Sequence, residues 1–327
     1  MRSSAKPSST SGILSGVMRV AVVGLGVQGH KRRRFAGTDF MCSVDNRNPD
    51  ADMRNLREVA LDKFDAALLC VPDSAKIELL DYLVEHGKHA LIEKPLVAED
   101  EAALERLERK ARQQGVVLYP AYNHRFEPHF VRMRDLVRSG TLGAIYRCRM
   151  FYGNGTARLV RNSDWRDRGA GVLDDLGSHV LDTARFWFGD IGDDFSIVSA
   201  DRFENKSPDH VVFAATGSRP RLEFEMTLLS WRNHFTCDVF AENGSAHISS
   251  LCKWGPSEFT HRVRILPSGR PPEQSVVLVQ DDPTWALEYE HFKKLCEQRH
   301  PTDLSNDIWL NRVLRKLGTE ANELALR

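Results

Sequence analysis

The tightest constraint on this chain lies near its start, in Gly24-Leu25-Gly26-Val27-Gln28-Gly29. This G-x-G-x-x-G run follows the β-branched stretch Arg19–Gly24 and opens a helix-forming stretch. Gly24 permits a tight turn, Gly26 lets a pyrophosphate approach the backbone, and Gly29 allows the helix to pack closely on the strand. The helix start then offers unpaired N–H groups to phosphates. An acid, Asp45, ends the next strand, Phe40–Val44, 19 residues after Gly26. Together these are the spacings of a dinucleotide-binding unit. Asp45 is placed to accept hydrogen bonds from the adenosine ribose hydroxyls, which favours NAD, and Arg47 beside it leaves NADP open.

From Met18 to about Ser139 short apolar strands alternate with helices, which predicts a parallel sheet. The strands are Arg19–Gly24, Phe40–Val44, Ala66–Val71, Ala90–Glu93 and Val116–Tyr119. The helices run over about 74–86, 100–114 and 128–139, each closed by a glycine (Gly87, Gly115, Gly140). Gly24, Asp45, Pro72, Lys94 and the Ala121–Arg125 segment all fall at carboxyl ends of strands, where open α/β sheets bind ligands. After Gly140 the pattern changes. One amphipathic helix, about Val172 to Phe188, precedes alternating segments at Asp209–Thr216, Arg221–Trp231, His234–Glu242, Ala246–Leu251, Arg262–Leu266 and Ser275–Val279. Asn243-Gly244 is a hairpin signal. Helices at about 284–297 and 305–325 close the chain. The fold class is therefore α/β: an N-terminal Rossmann domain over 18–121, and a C-terminal α/β domain over 122–327 with a large, mostly antiparallel open sheet. Residues 1–17, rich in Ser and lacking the apolar stretch of a secretory signal, read as a disordered tail.

Composition excludes several classes. With 327 residues the chain has the length of two domains, and its 45 basic and 45 acidic residues cancel, so gripping a nucleic acid is not its main task. The run His30-Lys31-Arg32-Arg33-Arg34 lies within the first helix and reads as a solvated face. No apolar run approaches the roughly 18 residues that span a bilayer. The six cysteines include no Cys-x-x-Cys pair, so no metal site is expected; they read as reduced thiols in a cytoplasmic protein, with Cys42 and Cys70 in buried strands.

On the helix after Val172, Asp175, His179 and Asp182 fall at i, i+4 and i+7 and share one face. A histidine between two carboxylates is a general-base arrangement. Lys94, in Glu93-Lys94-Pro95, can donate to a reacting oxygen. Ahead of this helix, Arg158, Arg161, Arg166 and Arg168 outnumber Asp164 and Asp167, which suggests an anionic substrate such as a nucleotide-sugar or sugar acid.

These residues carry a resemblance. From Met18 the chain resembles the Gfo/Idh/MocA family, the glucose-fructose oxidoreductase and inositol dehydrogenase group. It does so through the glycine run at 24–29, Glu93-Lys94-Pro95, Asn123-His124-Arg125-Phe126-Glu127-Pro128, and Gly169-Ala170-Gly171 followed by Asp175-Leu176-Gly177-Ser178-His179 and Asp182. The resemblance implies hydride transfer between nicotinamide and a secondary alcohol or ketone of a sugar, cyclitol or nucleotide-sugar, with NAD or NADP as cofactor. It implies Lys94, His179 and Asp175 as catalytic residues, His179 as acid/base and Asp175 as its carboxylate partner. Cofactor contacts are implied for Gly24, Gly26, Val27, Gln28, Gly29, Asp45, Asn46, Arg47, Pro72, Glu93, Lys94 and Asn123. Substrate contacts are implied for Lys94, Arg125, Trp165, Arg166, Asp175 and His179. The open sheet is implied as a homodimer or homotetramer interface.

Two departures stand out. Val71-Pro72-Asp73-Ser74-Ala75-Lys76 replaces the family's Thr-Pro-Asn-x-x-His, and the stretch from Asp45 to Pro72 lacks part of a helix and strand. An NAD-dependent glycosidase, a non-catalytic dinucleotide-binding sensor, and a dehydrogenase of unrelated substrate such as a dihydrodiol or biliverdin-type reductase stand as alternatives.

Overall fold

The structure, a computed structural model, describes residues 18–163, 166–215, 217 and 220–325. The expected tail at 1–17 and Trp165 lie outside the described residues. Two compact units are distinguished. One gathers the described residues up to Ile92 with Lys110–Tyr119 and Tyr289–Thr302; the other gathers Glu93–Arg109, Pro120–Glu288 and 303 onwards.

The first unit is built on a five-stranded sheet of β1 (Val20–Val23), β2 (Phe40–Val44), β3 (Ala66–Leu69), β4 (His89–Glu93) and β5 (Leu118–Ala121), in the order β2-β1-β3-β4-β5. β1 pairs parallel with both β2 and β3, and β3 parallel with β4. Parallel strands lie between covering layers, so they need apolar residues on both faces. Val20, Ala21 and Val22 of β1 and all of β3 are accordingly fully buried. α1 (Val27–Ala36) and α2 (Asp73–Glu85) form the crossovers. Between Asp45 and β3 the only helical structure is two 3-10 turns, Leu56–Glu58 and Leu61–Lys63. The basic run on α1 is less solvated than its charge suggests. Arg32 is buried and the Arg33 guanidinium lies 4.5 Å over the Phe40 ring. Cys42 and Cys70, expected as core thiols, are half-buried.

The Tyr289–Thr302 stretch completes this unit from far along the chain. Tyr289 Oη donates to Asp39 at 2.9 Å and Lys293 Nζ pairs with the same carboxylate at 2.9 Å. Thr302 Oγ1 accepts from Leu118 N at 2.9 Å and donates to the Val116 carbonyl at 2.7 Å.

The second unit carries an eight-stranded sheet in the order β13-β12-β11-β10-β6-β9-β8-β7. Its strands are β6 (Ile145–Gly153), β7 (Ser196–Asp201), β8 (His210–Ala215), β9 (Arg221–Thr227), β10 (His234–Ala241), β11 (Gly244–Ser249), β12 (Ser257–Val263) and β13 (Glu273–Leu278). All neighbours run antiparallel except β6 and β9. Period-two alternation sorts the side chains. Cys148, Met150, Phe224, Phe235 and Val239 share a core with Phe130, Leu181, Trp187 and Leu310, from α3 (Pro128–Arg138), α4 (Ser178–Phe188) and α5 (Ser305–Leu324). The opposite face carries cross-strand ion pairs, among them Arg147–Glu223 at 2.7 Å and Arg149–Glu225 at 3.4 Å. β6 and β7 were not anticipated, and β12 begins five residues before the segment expected at Arg262–Leu266. The helix expected from Val172 is a π-helical turn, Leu173–Gly177, that continues into α4. No helix among the described residues is long and apolar enough to cross a membrane.

Candidate active site

In the first unit the glycine run forms the turn its spacing predicts. Gly24 has φ +92°, and a Cβ there would lie 2.4 Å from the Cys70 carbonyl oxygen. A Cβ on Gly29 would lie 1.8 Å from the Gly24 carbonyl oxygen, so strand and helix meet where no side chain fits. Gly26 differs, since a Cβ there would meet nothing within 4 Å. Gly26 is the N-cap of α1 and no side chain caps the helix. Beside it Val27 is 74% exposed, a large apolar side chain left in the open at the start of the helix. Open space over uncapped N–H groups with an apolar rim fits a dinucleotide pyrophosphate.

Asp45 is tied into this loop. Its carboxylate accepts from Leu25 N at 2.7 Å and from Arg47 N and Asn48 N at 2.8 Å each. Burial alone would raise its carboxyl, but the N–H groups of Asn48, Leu25 and Arg47 outweigh burial and hold it below the ordinary carboxylate range. Asp45 therefore sets the shape of the glycine turn, and Asn46 and Arg47 project from the exposed turn after it. Pro72 precedes α2, in whose first turn Asp73 pairs with the buried Lys76 at 2.7 Å.

In the second unit, Lys94 and His179 come together. Lys94 Nζ donates to the main-chain oxygen of Asp175 at 2.9 Å. The His179 ring lies on that of His124, with centroids 4.1 Å apart and planes at 21°. Tyr152 packs against both, at 6.1 Å from His179 and 5.8 Å from His124. Burial, then the positive charges of Lys94 and Lys253 and the neighbouring His124, push His179 well below its usual value, so its imidazole is neutral at pH 7. His124 is pushed down in the same sense by burial, Lys253 and Lys94.

The expected carboxylate partnership is not formed. His179 Nδ1 is buried and has no hydrogen-bond partner. The Asp175 carboxylate instead lies 3.5 Å from Asn154 Nδ2 and 3.5 Å from an Arg166 nitrogen. Asp182 is buried and accepts from Arg125 Nε at 3.0 Å and Asn306 Nδ2 at 2.9 Å. There are two physical reasons. The π-helical turn at Leu173–Gly177 breaks the 100° spacing that put the three side chains on one face. Guanidinium groups also bind carboxylates more strongly than a neutral imidazole does. Arg125 and Arg166, expected at the substrate, thus have their guanidinium groups on Asp182 and Asp175. Asn123 Nδ2 donates to Thr284 Oγ1 at 2.9 Å.

His124, Tyr152, Asn154 and Lys253 were not singled out from the sequence. His124 stood inside Asn123-His124-Arg125, and Tyr152 sat at an inward position of the unrecognised β6. Lys253 follows Cys252, whose N–H and Sγ meet the buried Glu127 carboxylate at 3.2 and 2.9 Å. Elsewhere in this unit Arg158, Arg161, Asn162, Phe203 and Glu204 line an open depression of about 580 Å³. No cluster able to hold a metal ion occurs among the described residues.

Comparison with known proteins places this arrangement. Residues 18–122 match an oxidoreductase family with an NAD-binding Rossmann fold, and residues 130–247 match the Gfo/Idh/MocA C-terminal domain. Among curated relatives, a scyllo-inositol 2-dehydrogenase (NADP(+)) of Bacillus subtilis (strain 168) is 30% identical over 146 residues, 43% of this chain and 40% of the relative. A D-glucoside 3-dehydrogenase of Escherichia coli (strain K12) is 32% identical over 136 residues, 39% of this chain and 36% of the relative. The matched stretch thus spans about two fifths of these relatives' own length. A solved structure of UDP-N-acetylglucosamine 3-dehydrogenase from Acidithiobacillus ferrooxidans superposes with a TM-score of 0.78 at 16% identity, covering 95% of this chain and 99% of that one. Levoglucosan dehydrogenase in complex with NADH superposes with a TM-score of 0.77 at 16% identity, covering 94% and 98%. At such identities the likeness is one of fold. The two matched regions, with the glycine turn and Lys94 in one and His179 in the other, show that the chain belongs to the Gfo/Idh/MocA family of oxidoreductases.

Proposed function

We propose that this chain is an NAD(P)-dependent oxidoreductase acting on a secondary alcohol or ketone of a sugar, cyclitol or nucleotide-sugar. The observation that carries the reading is the pairing of an ammonium and a neutral imidazole in one site, Lys94 beside His179. Bound nicotinamide supplies the hydride acceptor or donor. The cofactor-holding residues are those around Gly26, with Asp45 shaping the turn. In oxidation, His179 takes the hydroxyl proton as the carbonyl forms, and the Lys94 ammonium stabilises the negative charge that develops on oxygen. In reduction, the His179 imidazolium returns the proton. Asp175 holds Lys94 through its main-chain oxygen and draws Arg166 into the site.

The substrate class is inferred from the relatives named above, which act on inositols, glucosides and a nucleotide-sugar by name. The two arginines lining the depression at Arg158 and Arg161 support an anionic member of that class. The open, ion-paired face of the eight-stranded sheet is the inferred surface for a homodimer or homotetramer, read by the mass of the protein in solution. A cytoplasmic setting is inferred from the six free cysteines.

The test is fluorescence titration with NADH and NADPH, followed by a screen of sugars, cyclitols and nucleotide-sugars. His179→Ala is expected to lower turnover about 100- to 10,000-fold while leaving dinucleotide affinity nearly unchanged. Folded protein that binds neither dinucleotide, or a His179→Ala variant with full turnover, would overturn the reading.

A further inference from the structure

A base histidine in an enzyme is ordinarily oriented by a hydrogen bond to the ring nitrogen that does not react, and that bond sets its tautomer and plane. His179 has no such bond. Its Nδ1 is buried and unpartnered, and both nearby carboxylates are engaged elsewhere, Asp175 with Arg166 and Asn154, Asp182 with Arg125 and Asn306. What touches the ring instead is a second imidazole. His124 is 3% exposed and lies nearly parallel to His179, with centroids 4.1 Å apart. His124 is itself fixed from beneath, because the Phe130 ring meets it edge-on at 5.7 Å and 86°. Phe130 is in turn held in the core against Trp187 and Phe235. The stack therefore runs from the site to the packed centre of the unit.

We propose that His124 is a positioning residue for His179. Its ring fixes the plane of the His179 imidazole by stacking and keeps water from that face, taking the part a carboxylate on Nδ1 would play. This rests on the assignment of His179 as the acid/base.

Lys94 follows β4, His124 lies in the turn Asn123–Phe126, Tyr152 is on β6, and Lys253 is in the turn Cys252–Trp254. None of these four carries negative charge at neutral pH, and the Asp175 carboxylate, whose charge reaches Tyr152, is held by Arg166 and Asn154. Burial, the largest of these influences, and the neighbouring cations keep the imidazole neutral. An aliphatic truncation at His124 would admit water and remove that influence, whereas another flat ring would preserve it.

The test compares His124→Ala with His124→Phe, using pH profiles of kcat and kcat/KM for alcohol oxidation. In the wild type the acid limb is expected well below the ordinary histidine value of 6.5. His124→Ala is expected to move that limb up toward 6.5 and to lower kcat about 10- to 100-fold, with KM changed less than about threefold. His124→Phe is expected to restore the limb and bring kcat back to within about threefold of wild type. A His124→Ala profile that superposes on the wild type, or a His124→Phe variant as impaired as His124→Ala, overturns the proposal. Should His124→Ala not fold, His124→Phe and the NMR titration of His179 in the wild-type protein decide, the resonance being assigned by its loss in His179→Ala. A His179 ring that titrates near 6.5 refutes the stack even in a protein without turnover. Full turnover in His179→Ala refutes instead the assignment on which the proposal rests.

Discussion

Lys94 Nζ donates to the main-chain oxygen of Asp175 at 2.9 Å, while the carboxylate of the same residue lies beside Asn154 and Arg166. Asp175 thus serves Lys94 through an atom that no substitution removes. Asp175→Asn is accordingly expected to cost at most about tenfold in kcat, while Lys94→Ala, which removes the ammonium, costs about 100-fold or more. Steady-state kinetics on the two variants decide. Equal losses for Asp175→Asn and His179→Ala would place the carboxylate in the proton path.

The glycine turn allows a sharper separation of folding from binding. Gly26→Ala adds a methyl group to open space, so the melting temperature should hardly move. Dinucleotide affinity should fall about tenfold or more as a phosphate contact is lost. Gly29→Ala forces a methyl against the Gly24 carbonyl and should destabilise the protein itself by about 1–3 kcal/mol. Thermal melts and NADH titrations on both variants read this directly. A Gly26→Ala protein with wild-type affinity would remove the pyrophosphate from this position.

Asp307 supplies a pH signature independent of turnover. Burial pushes its carboxyl up to about 7, against the Tyr122 hydroxyl, which donates to it at 2.7 Å, and the charge of Arg125. The native state therefore holds this proton more tightly than the unfolded chain does, whose carboxyl titrates near 3.8. Its stabilising contribution is complete below about pH 4 and is lost as pH rises through about 7. Asp307→Asn, which keeps an oxygen acceptor and cannot ionise, should gain melting temperature relative to wild type between pH 5 and pH 8. A constant difference across that range would show that Asp307 is already ionised in the native state at pH 5.

The Arg158–Arg161 depression bears on substrate charge. If an anionic substrate seats there, Arg158→Ala with Arg161→Ala should raise KM for sugar acids or nucleotide-sugars about tenfold or more while leaving that for neutral sugars alike. Arg166→Ala is the poorer probe, because it also releases Asp175. Unchanged KM values for anions in the double variant would refute the anionic reading.

How far the sequence carried is clearest residue by residue. The glycine turn and Lys94 were legible because their chemistry depends on local spacing: φ at Gly24, the contact at Gly29, the end of a strand. His179 was legible as a position but its partners were not. A helix drawn at 100° per residue puts Asp175 beneath it, and nothing in Leu173–Gly177 announces a π turn. β6 was missed although Cys148, Met150 and Tyr152 alternate with Arg147, Arg149 and Phe151. Interleaved arginines look like a surface segment until Glu223 and Glu225 on the parallel neighbour are known to face them. His124 could not be weighed at all, since its role comes from a ring 55 residues away.

The return of Tyr289–Thr302 to the first unit bears on how such a protein can be divided. A fragment ended near residue 122 would keep every residue of the glycine turn. It would still leave Asp39 without Tyr289 and Lys293, and the backbone at Val116 and Leu118 without Thr302. The dinucleotide-binding half is therefore no detachable cassette. An exchange of that half for another would have to carry Tyr289–Thr302 along with it, so the two ends of the chain have to be replaced together.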